Sequence, residues 1–235
     1  MAEDHQARFD PVAGGRVRHR GEAEVEFNRI VAFSDGVFAI AITLLVLGLA
    51  VPEDSSKIAD ELLDNRDDLI AYAISFAVLG RYWLAHHRFF SALERFDGRL
   101  MGLNLVYLAF IALVPFSSEV LGDYSRETAA IVVYAINMIL VSGTFHAQLI
   151  YSYRKELVRP EARAFERRYA GPANLLVVGV FLISIPVAFA SPLAATLMWL
   201  AIFFIGRMAV GSPRTDPVVA RDEGRLRAAI PPRRG

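Results

Sequence analysis

Followed along its apolar and polar positions, the chain resolves into six long apolar stretches joined by short charged connectors. They cover roughly residues 30–51, 68–87, 100–121, 128–151, 171–190 and 193–210. About 20 residues at 1.5 Å rise cross a hydrocarbon layer of roughly 30 Å. The pattern therefore predicts an all-α membrane protein with six transmembrane helices. Pro52 ends the first stretch. The connector up to Asp68 carries Ile58, Leu62 and Leu63 at helical spacing among acids, which predicts a short interfacial helix. Gly171-Pro172 opens the fifth stretch, and Pro186 predicts a kink near its far end. Ser191-Pro192 turns the chain into the sixth. No internal repeat emerges. Residues 1–28 form a polar N-terminal tail, 29–210 the transmembrane domain and 211–235 a Pro- and Arg-rich C-terminal tail, both tails expected to be mobile. No short apolar core with a cleavage site precedes residue 29, so the first span is expected to act as an uncleaved anchor.

Basic residues fix an expected orientation. Twenty-one lie before span one, after spans two and four, or after span six; Lys57, Arg66 and Arg126 lie on the other side. Positive residues favour the cytoplasmic side, so both termini are expected in the cytoplasm, with the protein multi-pass in the inner (plasma) membrane. The totals narrow the function. The 235 residues are 54% hydrophobic, with 25 basic and 25 acidic side chains and a mean hydropathy of +0.37. A nucleic-acid binder would show a basic excess, so none is expected as a partner; the lipid bilayer is. Without cysteine there is no disulfide, thiolate nucleophile or Cys-based zinc site.

The first span carries the candidate chemistry. Asp35 lies inside it, although a carboxylate at the membrane centre costs about 2.5–3.5 kcal/mol on insertion scales. Ser34 and Asp35 share a depth with Asn104 in span three and Asn174 in span five. Arg81, Trp83, His86 and His87 of span two and His146 and Gln148 of span four reach the same layer. Polar groups in lipid need partners, which predicts a hydrogen-bonded belt centred on Asp35 with Arg81 or a histidine as its counter-charge. Capping of a helix that starts late is the competing reading. Further along, Gly36, Ile40, Thr43 and Leu47 recur on one stripe. Packing against another helix is the first reading of the stripe. The second is the lining of a narrow pore, with the apolar residues as a dewetting constriction and the threonines offering hydroxyls to a partly dehydrated cation. Adjacent His86 and His87 point about 100° apart, wrong for a zinc pair. No phosphate loop, nucleophile elbow or paired membrane carboxylates appear, so no enzyme and no cofactor are expected.

Arg29-x-x-x-Phe33-Ser34-Asp35, running into Gly-Val-Phe-Ala-Ile-Ala-Ile-Thr-Leu-Leu-Val-Leu, resembles the signature of the transmembrane protein 175 potassium channel family, in its bacterial six-span branch. Tyr82-Trp83-x-x-His86-His87 and Leu113-Val114-Pro115-Phe116 resemble it too. The likeness is strong over about residues 28–122 and rests on hydropathy alone beyond. It implies a homotetramer in which four copies of the first helix line a potassium-preferring pore, without the Thr-Val-Gly-Tyr-Gly filter of ordinary potassium channels. Ile40 then matches the narrowest hydrophobic ring, Thr43 the polar layer where potassium passes transiently with no fixed metal site, and Leu47 a further apolar ring. Arg29, Phe33, Ser34 and Asp35 match the motif that holds the pore helix. Arg81, Trp83, His86 and Asn104 are candidate partners for that motif. A proton-coupled transporter and a non-conducting membrane scaffold are the alternatives.

Overall fold

A computed structural model describes residues 11–49, 51, 56–165 and 171–202, with side chains of the first helix described from Val25 onward. The described residues are helical almost throughout, in the order α1 (Pro11–Leu44), a 3-10 turn (Leu45–Gly48), α2 (Ile58–Asp64), α3 (Arg66–Ala92), α4 (Gly98–Ala112), α5 (Val114–Asp123), α6 (Thr128–Arg154), α7 (Pro160–Phe165), α8 (Gly171–Ala190) and α9 (Pro192–Met198). Among the described residues, five segments are long and apolar enough to cross a membrane: Val25–Gly48, Arg66–Ala92, Gly98–Asp123, Thr128–Arg154 and Gly171–Ala190. Of the expected sixth span, only the part up to Ile202 falls within the described residues, as do none of the C-terminal tail 211–235 and only residues 11–28 of the N-terminal tail.

Within the expected N-terminal tail, α1 already begins at Pro11 and runs unbroken into the first apolar stretch. Proline fits a first helical turn, and seven of the eleven residues 16–26 are Arg, Glu or Ala, which are good helix formers. The expected connector helix occurs as α2. The third apolar stretch is two helices meeting at Leu113, whose backbone stays helical (φ −84°, ψ −9°). Pro115 sits in the first turn of α5, where a missing N–H costs least. Asp97 caps α4 by accepting from the Leu100 N–H at 2.9 Å, and Ser191 caps α9 by accepting from the Ala194 N–H at 3.2 Å. Pro186 lies within α8, which continues to Ala190.

Helix α6 is the hub. Tyr134, Met138, Val141 and Phe145 on it are buried against α4, α5 and α8. The Tyr134 ring stacks on Trp199 at 4.8 Å, which ties the segment after α9 into the core. Polar side chains in this interior pair across helices: Tyr82 with Ser142, Ser75 with Tyr134, Asn137 with Ser117, and the Asn174 amide donates to the Ser142 carbonyl. In a medium without water, such ties select one helix arrangement over its neighbours. Helix α1 stands at the edge of this bundle and touches α3, α4 and α5 along one side only.

Candidate pore-lining helix and its anchoring network

One side of α1 is fully engaged. Ser34, Phe38, Ala41 and Leu45 recur every three or four residues and are buried, Ser34 at 0% and Phe38 at 1% exposure. The Phe38 ring lies 5.7 Å from His86 and 6.0 Å from Tyr107. The opposite side is bare. Gly36, Ile40, Thr43 and Leu47 all fall on it, with Ile40 61% and Leu47 76% exposed. At about 100° per residue Gly36, Ile40 and Thr43 lie near the middle of the exposed arc of α1, across from Ser34, Phe38 and Ala41, and Leu47 follows them, exposed, in the 3-10 turn. The Thr43 hydroxyl donates to the Ile40 carbonyl at 2.9 Å. Its proton thus points back into the helix, and its lone pairs face outward. Beyond Thr43 the helix end borders a cavity of about 310 Å³ that Leu44 and Leu47 share with the carboxylates of Asp68 and Glu119.

The anchoring groups form two linked sets. Asn104 is the centre of the first. Its amide nitrogen donates to the Ser34 hydroxyl at 2.9 Å, and its carbonyl oxygen lies 2.9 Å from His86 Nε2. Ser34 in turn donates to the Ile30 carbonyl at 2.9 Å. With the Asn104 oxygen able only to accept, His86 carries its proton on Nε2, so every donor along this line points toward α1. An amide at its centre neither takes up nor releases a proton, so the line holds helices together and is unsuited to relaying protons. The His86 ring is clamped between Phe90, at 4.2 Å, and Tyr107, at 5.6 Å with the planes 4° apart. The second set is Asp35 and Trp83: the indole N–H donates to Asp35 Oδ1 at 2.9 Å, while the ring stacks on His87 at 5.7 Å.

The belt therefore differs from its expected form. Asn104, not Asp35, is the branching point, and the partner of Asp35 is an indole rather than a cation. Arg81 and Trp83 are two residues apart on α3, hence about 200° apart, and cannot both face α1. The Arg81 Nε is buried with no hydrogen-bond partner among the described residues. The indole gives Asp35 a hydrogen bond without a counter-charge, on a side chain that is only partly buried. Asn174 reaches Ser142, and Gln148 and the Nδ1 of His146 have no partner among the described residues. Arg29 is exposed and Phe33 is 55% exposed, so neither joins the network within one chain. Among the described residues no three His, Asp or Glu side chains gather as a metal site. Sequence reading passed over Ser142 and Ser75, whose hydroxyls gave no signal beyond sitting in apolar helices, and took Tyr82 only as part of the Tyr82-Trp83-x-x-His86-His87 motif, with no partner assigned.

Fold and site together define a multi-pass, all-helical membrane protein whose first span is tied to its neighbours on one face and, among the described residues, unpartnered on the other. The family model described as endosomal/lysosomal potassium channel TMEM175 matches residues 29–115, from the arginine of the motif to Pro115. A potassium channel of Streptomyces collinus is 36% identical over 180 residues, covering 71% of this chain and 87% of that one. The chain belongs to the TMEM175 family. A crystal structure titled as a lysosomal potassium-selective channel TMEM175 homologue from Chamaesiphon minutus superposes with a TM-score of 0.68 at 27% identity, over 80% of this chain and 100% of that one. The human relative, named an endosomal/lysosomal proton channel, is 32% identical over 109 residues, 42% of this chain but 22% of that protein.

Proposed function

We propose that this chain is one subunit of a passive, potassium-preferring cation channel: a homotetramer with six spans per subunit, both termini cytoplasmic, in the plasma membrane. The observation that carries the reading is the exposed stripe of α1. Four copies turned toward a common axis would present Ile40, Thr43 and Leu47 as successive rings. Rings of Ile40 and Leu47 make a neck that dewets readily, so the barrier to an ion is the loss of its water rather than a fixed charge. Thr43 lies between them with its acceptor lone pairs outward, suited to a cation that has shed part of its hydration shell. Asp35 is not an ion ligand in this scheme; Trp83 holds it to the subunit, off the pore axis. Arg29 and Phe33, exposed on one chain, are then available to the neighbouring subunit. The relatives named potassium channels and the potassium-selective structural neighbour support the reading.

The names of the animal relatives give proton permeation a place as the second reading. Purified protein in liposomes distinguishes them. Under a potassium gradient, a voltage-reporting dye should develop a potential near the potassium equilibrium value. Ile40→Asn should raise the flux by wetting the neck, and Thr43→Ala should bring the potassium and sodium reversal potentials together. Flux driven by a pH gradient alone, and unaltered by potassium, would instead support proton permeation. Saturable solute uptake would point to a transporter, and no flux of any kind to a scaffold.

A further inference from the structure

Near the membrane-entry end of α1, Phe27 packs between two rings of the neighbouring helix and loop. The Phe27 ring lies 6.1 Å from Phe90, in the last turn of α3, and 5.5 Å from Phe96, in the loop that leads to α4. That loop is held from its other side by the segment that follows α6. Leu93 and Val158 form an antiparallel bridge, and the Glu94 N–H donates to the Leu157 carbonyl at 2.8 Å. The Arg159 N–H donates to the Ala92 carbonyl at 3.0 Å, while its guanidinium donates from Nε to Leu93 O at 3.4 Å and from Nη2 to Ser91 O. The last carbonyls of a helix have no partner within it and carry its negative end, so a guanidinium there is bound by both hydrogen bonding and charge. The clasp is itself tightly folded. Glu156, the non-glycine residue with φ of +54° among the described residues, turns the chain, and Arg163 donates back to the carbonyls of Val158 at 3.0 Å and Glu156 at 3.3 Å. A left-handed glutamate persists only where its surroundings over-determine it.

A continuous path thus runs from the loop after α6, through the end of α3, to the base of the candidate pore helix. We infer that Arg159 is a positioning residue for that helix: by bracing Phe90 and Phe96 against Phe27, it fixes the angle at which α1 enters the membrane and so the width of the neck. The inference rests on the channel reading above. A merely structural clasp would stabilise the fold and leave conduction alone.

The test uses the full chain, which has no native cysteine. Single-channel recording is paired with a spin label at Glu26→Cys, an exposed position beside Phe27. Arg159→Gln should lower open probability by at least about fivefold, the lower end of measured couplings between sites. It should also raise label mobility and leave the potassium/sodium reversal potential in place. Arg159→Lys, able to reach one carbonyl rather than two, should fall between, and it carries both readouts if the glutamine variant does not assemble. Arg154→Gln, exposed on the adjoining turn, should match the unmodified protein. Unchanged open probability in the Arg159 variants overturns the inference. So does reduced current with unchanged label mobility, or an equal effect from Arg154→Gln. Absence of current from the unmodified protein refutes the channel reading instead, and label mobility then still tests the mechanical link.

Discussion

Asn104 is the residue through which α1, α3 and α4 are joined, and removing its amide gives the sharpest test of the anchoring network. The side chain is 1% exposed, so water cannot replace what it loses. Asn104→Leu keeps the approximate volume and deletes both hydrogen bonds, each 2.9 Å long. Ser34 still has the Ile30 carbonyl to donate to, so it is left satisfied. The His86 N–H is not, and a buried donor without an acceptor costs about 1–3 kcal/mol. That sets the expected loss for the single variant, read as the free energy of unfolding in mixed detergent micelles. A double-mutant cycle with Ser34→Ala isolates the Asn104–Ser34 bond. Interhelical hydrogen bonds in membranes average about 0.6 kcal/mol and reach about 1.7, which is the coupling expected here. A second cycle, with His86→Phe, should show the larger coupling, because it removes the stranded donor. Additivity within about 0.3 kcal/mol in both cycles would refute the reasoning and leave Asn104 as a packing residue.

Trp83→Phe removes the indole N–H that Asp35 accepts and should cost about 1.5–3 kcal/mol, the range for hydrogen bonds to charged groups. Arg81→Gln should leave Asp35 undisturbed; thermal melting of the two variants checks the contrast. Gly122→Ala should destabilise by about 1–3 kcal/mol through overpacking, because a Cβ built there lies 2.5 Å from Asp68 Oδ1 and 3.3 Å from Asp68 Cα. Asp68→Ala in the same background should recover part of the loss. Burial pulls the Asp97 carboxyl upward, but hydrogen bonds from the Tyr151 hydroxyl and the Leu100 N–H outweigh it and hold the group below the ordinary carboxylate value. Its stabilising contribution is therefore complete above about pH 4 and lost as pH falls through the lower folded value. Melting temperature against pH should be flatter below about pH 4 in Asp97→Asn than in the unmodified protein.

Much of this was legible in the residues themselves. Apolar length is a local property that the bilayer reads directly, and so the helical class and five of the spans follow from runs of side chains. Gly36, Ile40, Thr43 and Leu47 fall on one stripe because helical periodicity alone places them there. Periodicity alone does not decide which side of α1 the bundle covers, since both sides are apolar and either would bury; only the family resemblance pointed to the Ile40 side as the uncovered one. Packing against α3, α4 and α5 settled it by covering Phe38 and leaving Ile40 bare. Nor could shared depth choose partners. Depth is one coordinate, whereas a hydrogen bond needs the azimuth of each helix as well, and that is set by neighbours distant in the chain. Hence Asn104 became the centre of the network, Trp83 displaced Arg81 beside Asp35, and the clasp at Arg159 came into view only with the tertiary structure.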